Sequence, residues 1–318
     1  MMRCAVAATL ALLTASVSAQ GFPSRNVRLI VPFPPAGAVD LIARTLSQPM
    51  TAALGQSVIV ENRPGANTVI GAEVVARAPA DGHTLLLMAP SFTINPVVRS
   101  SMPYDTFRDF AGVTRLASNP LVVSVHPALP AKNVKELIAL ARTRPGELTF
   151  ATASILGGQR LAGELLWETA NVKVVNVPYN GGAPAGTAVM GGHNPILVAN
   201  VVESAPFIAA GRLRGIAVTG LQRAESLPTV PTVAESGYPG FEALNWFGAV
   251  ARAGTPKNIL ERLSADITRA LQTAEVRDIL AKQGLNANPL TLETFDAYMK
   301  AEMQRNERIV KALNLKID

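Results

Sequence analysis

The sequence predicts an α/β protein of two globular units, and three observations carry that reading. Apolar strands alternate with helical patterns along most of the chain, the order expected of parallel sheets covered by helices. At 318 residues, 48% of them hydrophobic, the chain is long enough to bury two cores of ordinary domain size. Several strands are apolar throughout rather than alternating, as in sheets buried on both faces.

The first twenty residues read as an address. Arg3 precedes an apolar run from Cys4 to Ala15, and Val17-Ser18-Ala19 fits a small-x-small cleavage site with the cut after Ala19. The run is shorter than the roughly 20 apolar residues that span a bilayer. A soluble exported protein is therefore expected. Cys4 is the only cysteine and lies ahead of most of the apolar run, where a lipid-attachment cysteine would have to follow it, so a lipid anchor is not expected. Cleavage would leave a mature chain with neither disulfides nor thiolate metal sites.

Downstream, Val27 to Val31 reads as a strand, Pro32 to Gly37 as a loop and Asp40 to Leu54 as a helix stopped at Gly55. Pro49 is expected to kink or split that helix, because it removes a backbone donor. Strands at 58–61 and 84–88 flank a helix at 69–78. The middle of the chain repeats the pattern, with strands at 121–125, 148–151, 174–177, 196–199 and 213–218. Helices at 134–143, 159–169, 183–190 and 204–210 are interleaved with them. After a strand at 247–251 come helices at 258–273, 274–283 and 292–313, expected to pack back onto the first unit. The crossings between units are placed near Arg115 to Pro120 and Asn245 to Ala249.

Charge narrows the partners. Lys plus Arg is 29 against 23 for Asp plus Glu; loss of Arg3 with the leader leaves 28 against 23, a net +5. Anions are favoured, but the basic residues are scattered without interleaved aromatics, so nucleic acid is not expected as a partner. There is no Gly-x-Ser-x-Gly elbow, and His83, His126 and His193 lie far apart without zinc spacing. Gly181 to Gly186 has the glycine spacing of a phosphate loop, but Thr187 and Ala188 stand where Lys and a hydroxyl residue are required. No catalytic residue, metal site or cofactor is predicted.

What remains are Gly- and Pro-rich loops between strands and helices, at Pro32–Gly37, Ser154–Gly158 and Pro178–Gly182. A helix start presents backbone N–H groups without intrahelical partners, and so suits an anion. Any one loop is equally well a tight turn; three such loops divided between two units point to a shared anion site.

The chain also resembles the substrate-binding proteins of tripartite tricarboxylate transporters, the Bug receptors. The resemblance runs through Val27 to Phe33, Gly37, Asp40, Val60 to Ala66, Ala78 to Gly82, Val177-Pro178-Tyr179 and Leu227 to Thr232. It continues in Glu235-Ser236-Gly237, Pro239-Gly240-Phe241, Trp246 and Gly254-Thr255-Pro256. It implies a periplasmic binding protein-like fold of type II, a Venus flytrap of two α/β lobes joined by a two-strand hinge. Residues 20–118 and 247–318 would form lobe 1, residues 119–246 lobe 2, and residues 1–19 the signal peptide.

The resemblance also implies a small carboxylate between the lobes, membrane subunits of a tripartite tricarboxylate-type transporter as partners, and no catalysis. Site residues carried over are Phe33, Pro34, Ala36, Gly37 and Asp40 in the first lobe, with Ser91. In the second they are Ser154, Gly157, Gly158, Arg160, Tyr179, Asn180, Gly181 and Asn200. Asp40 would also serve as a helix cap. Arg160 stands where the family often has His, and Asn180 where it usually has Lys or Arg. Arg160 could favour a second acidic group on the ligand, or remain solvated. A monomer is expected. A ligand-dependent sensor for a membrane kinase and an exported enzyme on the same architecture are the alternatives.

Overall fold

The computed structural model describes residues 21–312. The expected leader and its cleavage site, Cys4, and Leu313, the expected end of the last helix, lie outside them. Among the described residues ten strands and ten α-helices follow one another, mostly in alternation. In the first half come β1 (Val27–Val31), α1 (Ala38–Leu54), β2 (Val58–Asn62), a 3₁₀ turn (Ala66–Thr68), α2 (Val69–Ala76), β3 (Thr84–Met88) and α3 (Ser91–Val98). The middle holds β4 (Phe110–Val125), α4 (Val134–Thr143), β5 (Thr149–Thr152), α5 (Gly158–Thr169), β6 (Val175–Pro178), α6 (Gly182–Met190), β7 (Ile196–Asn200), α7 (Val201–Ala209) and β8 (Arg214–Val218). The chain finishes with β9 (Leu244–Arg252), α8 (Lys257–Gln272), α9 (Ala274–Lys282), β10 (Asn286–Ala287) and α10 (Leu292–Ala312).

Hydrogen bonding runs through the strands in the order β2-β1-β3-β9-β4-β7-β5-β6. The order contains two sheets that share one strand. Residues 110–120 of β4 pair antiparallel with β9, while residues 121–125 pair antiparallel with β7 on one side and β8 on the other. The molecule is thus a periplasmic binding protein-like α/β fold of two lobes, with β4 and β9 as the crossing strands.

The apolar strands of the first lobe explain themselves by their two faces. Side chains alternate along a strand, so Val27, Leu29 and Val31 enter one core with Leu85 and Leu87. Ile30 enters the core on the opposite face with Leu86 and Met88. Each face is covered by helices, so the runs are apolar on both faces, interrupted only by Arg28, which pairs with Glu61, and by Thr84 at the start of β3. The second lobe repeats this around Leu121, Val123, Phe150 and Trp167 on one face and Ala151, Leu197 and Ala199 on the other.

Four elements depart from expectation. Helix α1 runs unbroken through Pro49, because Leu46, Met50 and Leu54 on either side are all buried against the first core and hold the turns in place. Helix α3 was not expected in a segment with β-branched residues and Pro96; six of its eight residues are buried, and tertiary packing overrides propensity. Strand β4 is much longer than the apolar run 121–125, since its first part, rich in Gly, Ala, Ser and Thr, is held by pairing with β9. Finally, α10 packs on the first lobe through Phe295 and Met299 but reaches the second, where Ile309 and Val310 join its core.

The crossing strand β9 is locked to α10 by one buried polar contact. Trp246, fully buried, donates its indole Nε1–H to Glu302 Oε2 at 3.1 Å. Glu302 is also paired with Arg305, and burial pushes its carboxyl above the ordinary range. Trp246→Phe should therefore lower the unfolding free energy by about 1–3 kcal/mol, because it leaves a buried acceptor without its donor. A denaturant titration checks this as a lowered midpoint with an unchanged slope.

Candidate functional site

Strand direction fixes where a ligand would be met. β1 is parallel to β2 and β3, β3 is antiparallel to β9, and β9 is antiparallel to β4. The first three strands therefore run in the same sense as β4, toward the second lobe. β5, β6 and β7 are mutually parallel, and β7 runs against β4, back toward the first lobe. Six carboxyl ends, at Val31, Asn62, Met88, Thr152, Pro178 and Asn200, consequently face one gap between the lobes. Ligands of open α/β sheets bind at such ends.

On the first-lobe wall, Pro34, Pro35, Ala36 and Gly37 are exposed, while Phe33 is half-buried against the core. The loop is stapled from beneath by Asp40. Its Oδ2 accepts from Ala36 N–H at 3.0 Å and Arg44 Nε at 2.9 Å; its Oδ1 accepts from Arg44 Nη2 at 3.1 Å and Asn62 Nδ2 at 2.8 Å. Asn62 Nδ2 also donates to Phe33 O. The Arg44 guanidinium, opposed by burial and helped by the Ala36 and Asn62 donors, holds the Asp40 carboxyl down at about 2. Asp40 is buried and its oxygens are occupied, so it positions the loop from below. The left-handed backbone of this loop lies at Ala36 (φ 70°); Gly37 has φ −83°.

Beside this loop, Ala66, Asn67 and Thr68 all have positive φ, at 48°, 52° and 82°. Such backbone costs energy and persists only where surroundings over-determine it. Here Asn67 Nδ2 donates to Asn95 Oδ1 (2.8 Å), Asn95 Nδ2 returns to Asn67 O (2.7 Å), and Thr68 Oγ1 lies 3.2 Å from Ser91 Oγ. Ser91 is thereby committed to holding the turn.

On the second-lobe wall, Ser154 Oγ donates to Leu156 O, and Ala153 N–H donates to Gln159 Oε1 at 2.8 Å, shaping the turn before Gly157 and Gly158. Arg160 folds onto its own lobe, with Nη1 donating to Ile155 O at 2.7 Å and Nε lying 3.4 Å from Glu164. Burial raises the Glu164 carboxyl despite Arg160. Tyr179 packs into the second-lobe core and its hydroxyl accepts from Asn194 Nδ2. Asn194 precedes β7, so the hydroxyl points away from the carboxyl ends. Gly181 N–H is taken by Ala153 O, and Asn180 is exposed.

The floor is the crossing itself. Asn119 on β4 stands opposite Asn245 on β9, and Asn119 Nδ2 donates to Asn200 Oδ1 at 2.7 Å. The lobes meet where a Cβ on Gly158 would lie 3.0 Å from Asn245 Oδ1 and 3.6 Å from Pro90 Cγ. Sequence reasoning found the three loops but not Asn62, Asn119, Asn245 or Glu203, whose carboxylate accepts from Asn200. Asparagines next to strand ends carry no distinctive spacing; only their position relative to the paired strands marks them.

Two outcomes follow from these contacts. Tyr179→Phe should destabilise the protein by about 1–3 kcal/mol, leaving the buried Asn194 amide without a partner, and should leave affinity for any cleft ligand within twofold by calorimetry. Because the Asp40 carboxyl is depressed in the folded state, its stabilisation is complete at neutral pH and is lost as pH falls from about 4 toward 2. Hydrogen exchange at the 36–41 amides should accelerate over that window, and Asp40→Asn should abolish the pH dependence.

Comparison with known proteins agrees with this geometry. Residues 42–315 match the tripartite tricarboxylate transporter family receptor. The chain is 38% identical over 305 residues to the "UPF0065 protein in tcbD-tcbE intergenic region" of Pseudomonas sp. (strain P51), covering 95% of this chain and 91% of that one. The structure of R. palustris Rpa4515 with adipate superposes with a TM-score of 0.76 at 32% identity, covering 93% of this chain and 99% of that one. MatC (Rpa3494) from Rhodopseudomonas palustris with bound malate superposes with a TM-score of 0.71 at 28% identity, covering 91% and 100%. The chain belongs to the tripartite tricarboxylate transporter receptor family.

Proposed function

We propose that the protein is a periplasmic solute-binding protein that captures a small mono-, di- or tricarboxylate between its lobes and delivers it to the membrane subunits of a tripartite tricarboxylate-type transporter. The observation that carries the reading is the convergence of six strand carboxyl ends on one interlobe gap, with an exposed helix start at Gly37 and a half-buried one at Gly157. Adipate and malate in the two R. palustris neighbours support a carboxylate. On this reading residues 20–118 and 247–318 form the first lobe and 119–246 the second, the leader is cut after Ala19, and the protein acts as a monomer. No helix among the described residues is long and apolar enough to cross a membrane.

Backbone donors suffice for the affinity such a receptor needs. Hydrogen bonds to a charged group contribute about 1.5–3 kcal/mol each, so three or four of them with cleft burial reach the roughly 8 kcal/mol of a micromolar complex.

A thermal-shift screen of residues 20–318 against mono-, di- and tricarboxylates tests the reading. A true ligand at about 100 times its Kd adds about 2.7 kcal/mol to apparent stability, and small-angle scattering should then record a smaller radius of gyration as the lobes close. No shift with any carboxylate would overturn the function. Gly37→Pro should abolish binding, because it removes a backbone donor and drives Ala36 out of its positive φ toward extended backbone. Retained affinity in that variant would exclude the loop as a donor. Intact mass of the exported protein should correspond to a chain starting at Gln20.

A further inference from the structure

Glu203 stands in the cleft with no role assigned by the three-loop description. It lies in the first turn of α7, at the carboxyl end of β7, and is exposed. Its Oε1 accepts from Asn200 Nδ2 at 2.8 Å. Its Oε2 lies 2.5 Å from the point that a Cβ on Gly182 would occupy, so the carboxylate sits against the start of α6. No cationic side chain among the described residues pairs with it.

This carboxylate sets the orientation of the amides beside it. A carboxylate only accepts hydrogen bonds, so Asn200 must turn its Nδ2 toward Glu203 and its Oδ1 toward Asn119. Asn119 must then present Nδ2 to Asn200 at 2.7 Å. The end left over is Asn119 Oδ1, which is buried and has no partner within the protein. Asn119 is 4% exposed and lies on the crossing strand at the cleft floor. A buried acceptor without a donor calls for one from outside. The second-lobe side of the cleft therefore offers the Glu203 carboxylate, and the floor holds the buried, orphaned Asn119 carbonyl oxygen; both are acceptors. The first-lobe loop offers helix-start donors.

The geometry points to Glu203 as the residue that sets ligand specificity. Resting on the carboxylate-receptor reading, the ligand is a carboxylate held at the Phe33–Gly37 loop whose other end carries a donor, an ammonium or a hydroxyl, and a second carboxylate at that end is disfavoured. A negative charge fixed at the start of α6 occupies the place that a second ligand carboxylate would otherwise take and repels one that approaches.

The test uses two probes of matched length, adipate and 6-aminohexanoate, titrated calorimetrically into the mature protein and into Glu203→Gln and Glu203→Ala. Glu203 is exposed, so both variants should fold, and their ligand-free melting temperatures check this. The native protein should bind 6-aminohexanoate more tightly than adipate. Both variants should move the affinity ratio toward adipate by tenfold or more. A native preference for adipate, or a ratio that neither variant moves, would overturn the specificity role while leaving the carboxylate receptor standing. Failure of both probes and of the wider carboxylate panel to bind would remove the receptor reading and this inference with it.

Discussion

Much of the architecture depends on one strand that belongs to two sheets. β4 gives residues 110–120 to the first lobe and 121–125 to the second without leaving extended backbone. Because a strand transmits direction, the antiparallel pairing of β9 and β7 to its two halves orients both parallel sets. Their carboxyl ends are forced to face each other. The ligand gap follows from hydrogen-bond register before any side chain in it is considered. β9 runs beside β4 over nearly its whole first part, and Trp246 anchors it to α10.

The polar side chains of the cleft walls are mostly spent within their own lobe. Asp40 is saturated by Ala36, Arg44 and Asn62, while Arg160 contacts Ile155 and Glu164, the Tyr179 hydroxyl accepts from Asn194, and Ser91 contacts Thr68. These contacts fix loop backbone, and what the Phe33–Gly37 loop leaves toward the gap is helix-start N–H groups. Preorganised backbone donors lose little entropy on binding, which suits a receptor that must also release. It also accommodates a family whose members bind different carboxylates, since the donor frame is independent of most side chains.

The sequence was legible where one force dominated. Runs such as Thr84–Met88 lie under helices on both faces, and their unbroken apolarity had one interpretation. The three loops were legible because Gly and Pro punctuate them. The N-terminal part of β4 was not, because Phe110 to Pro120 is made a strand by its partner rather than by its composition. α3 was hidden likewise, its helix being imposed by burial against propensity. Side-chain direction was less legible than residue type: Arg160, which could contact a ligand or remain solvated, donates Nη1 to Ile155 O, and the Tyr179 hydroxyl accepts from Asn194 Nδ2. Direction of a side chain is settled by a neighbour such as Glu164 or Asn194, and neighbours distant in sequence leave no local mark.

The insertion of β9 between β3 and β4 has a consequence for how the molecule is made. During synthesis β1, β2, β3 and the first part of β4 emerge early, but β3 and β4 are not adjacent; the strand that joins them is translated only after the whole second sheet. Helices α8 to α10, which cover the first lobe, come later still. Non-local pairing of this kind is slow, because chain entropy is lost before contacts reward it. The later-made lobe can thus reach its native topology first, while the lobe holding the N-terminus stays incomplete until the chain is nearly finished. On the proposed periplasmic reading, in which the chain crosses a membrane before it folds, that delay is a kinetic advantage written into strand order.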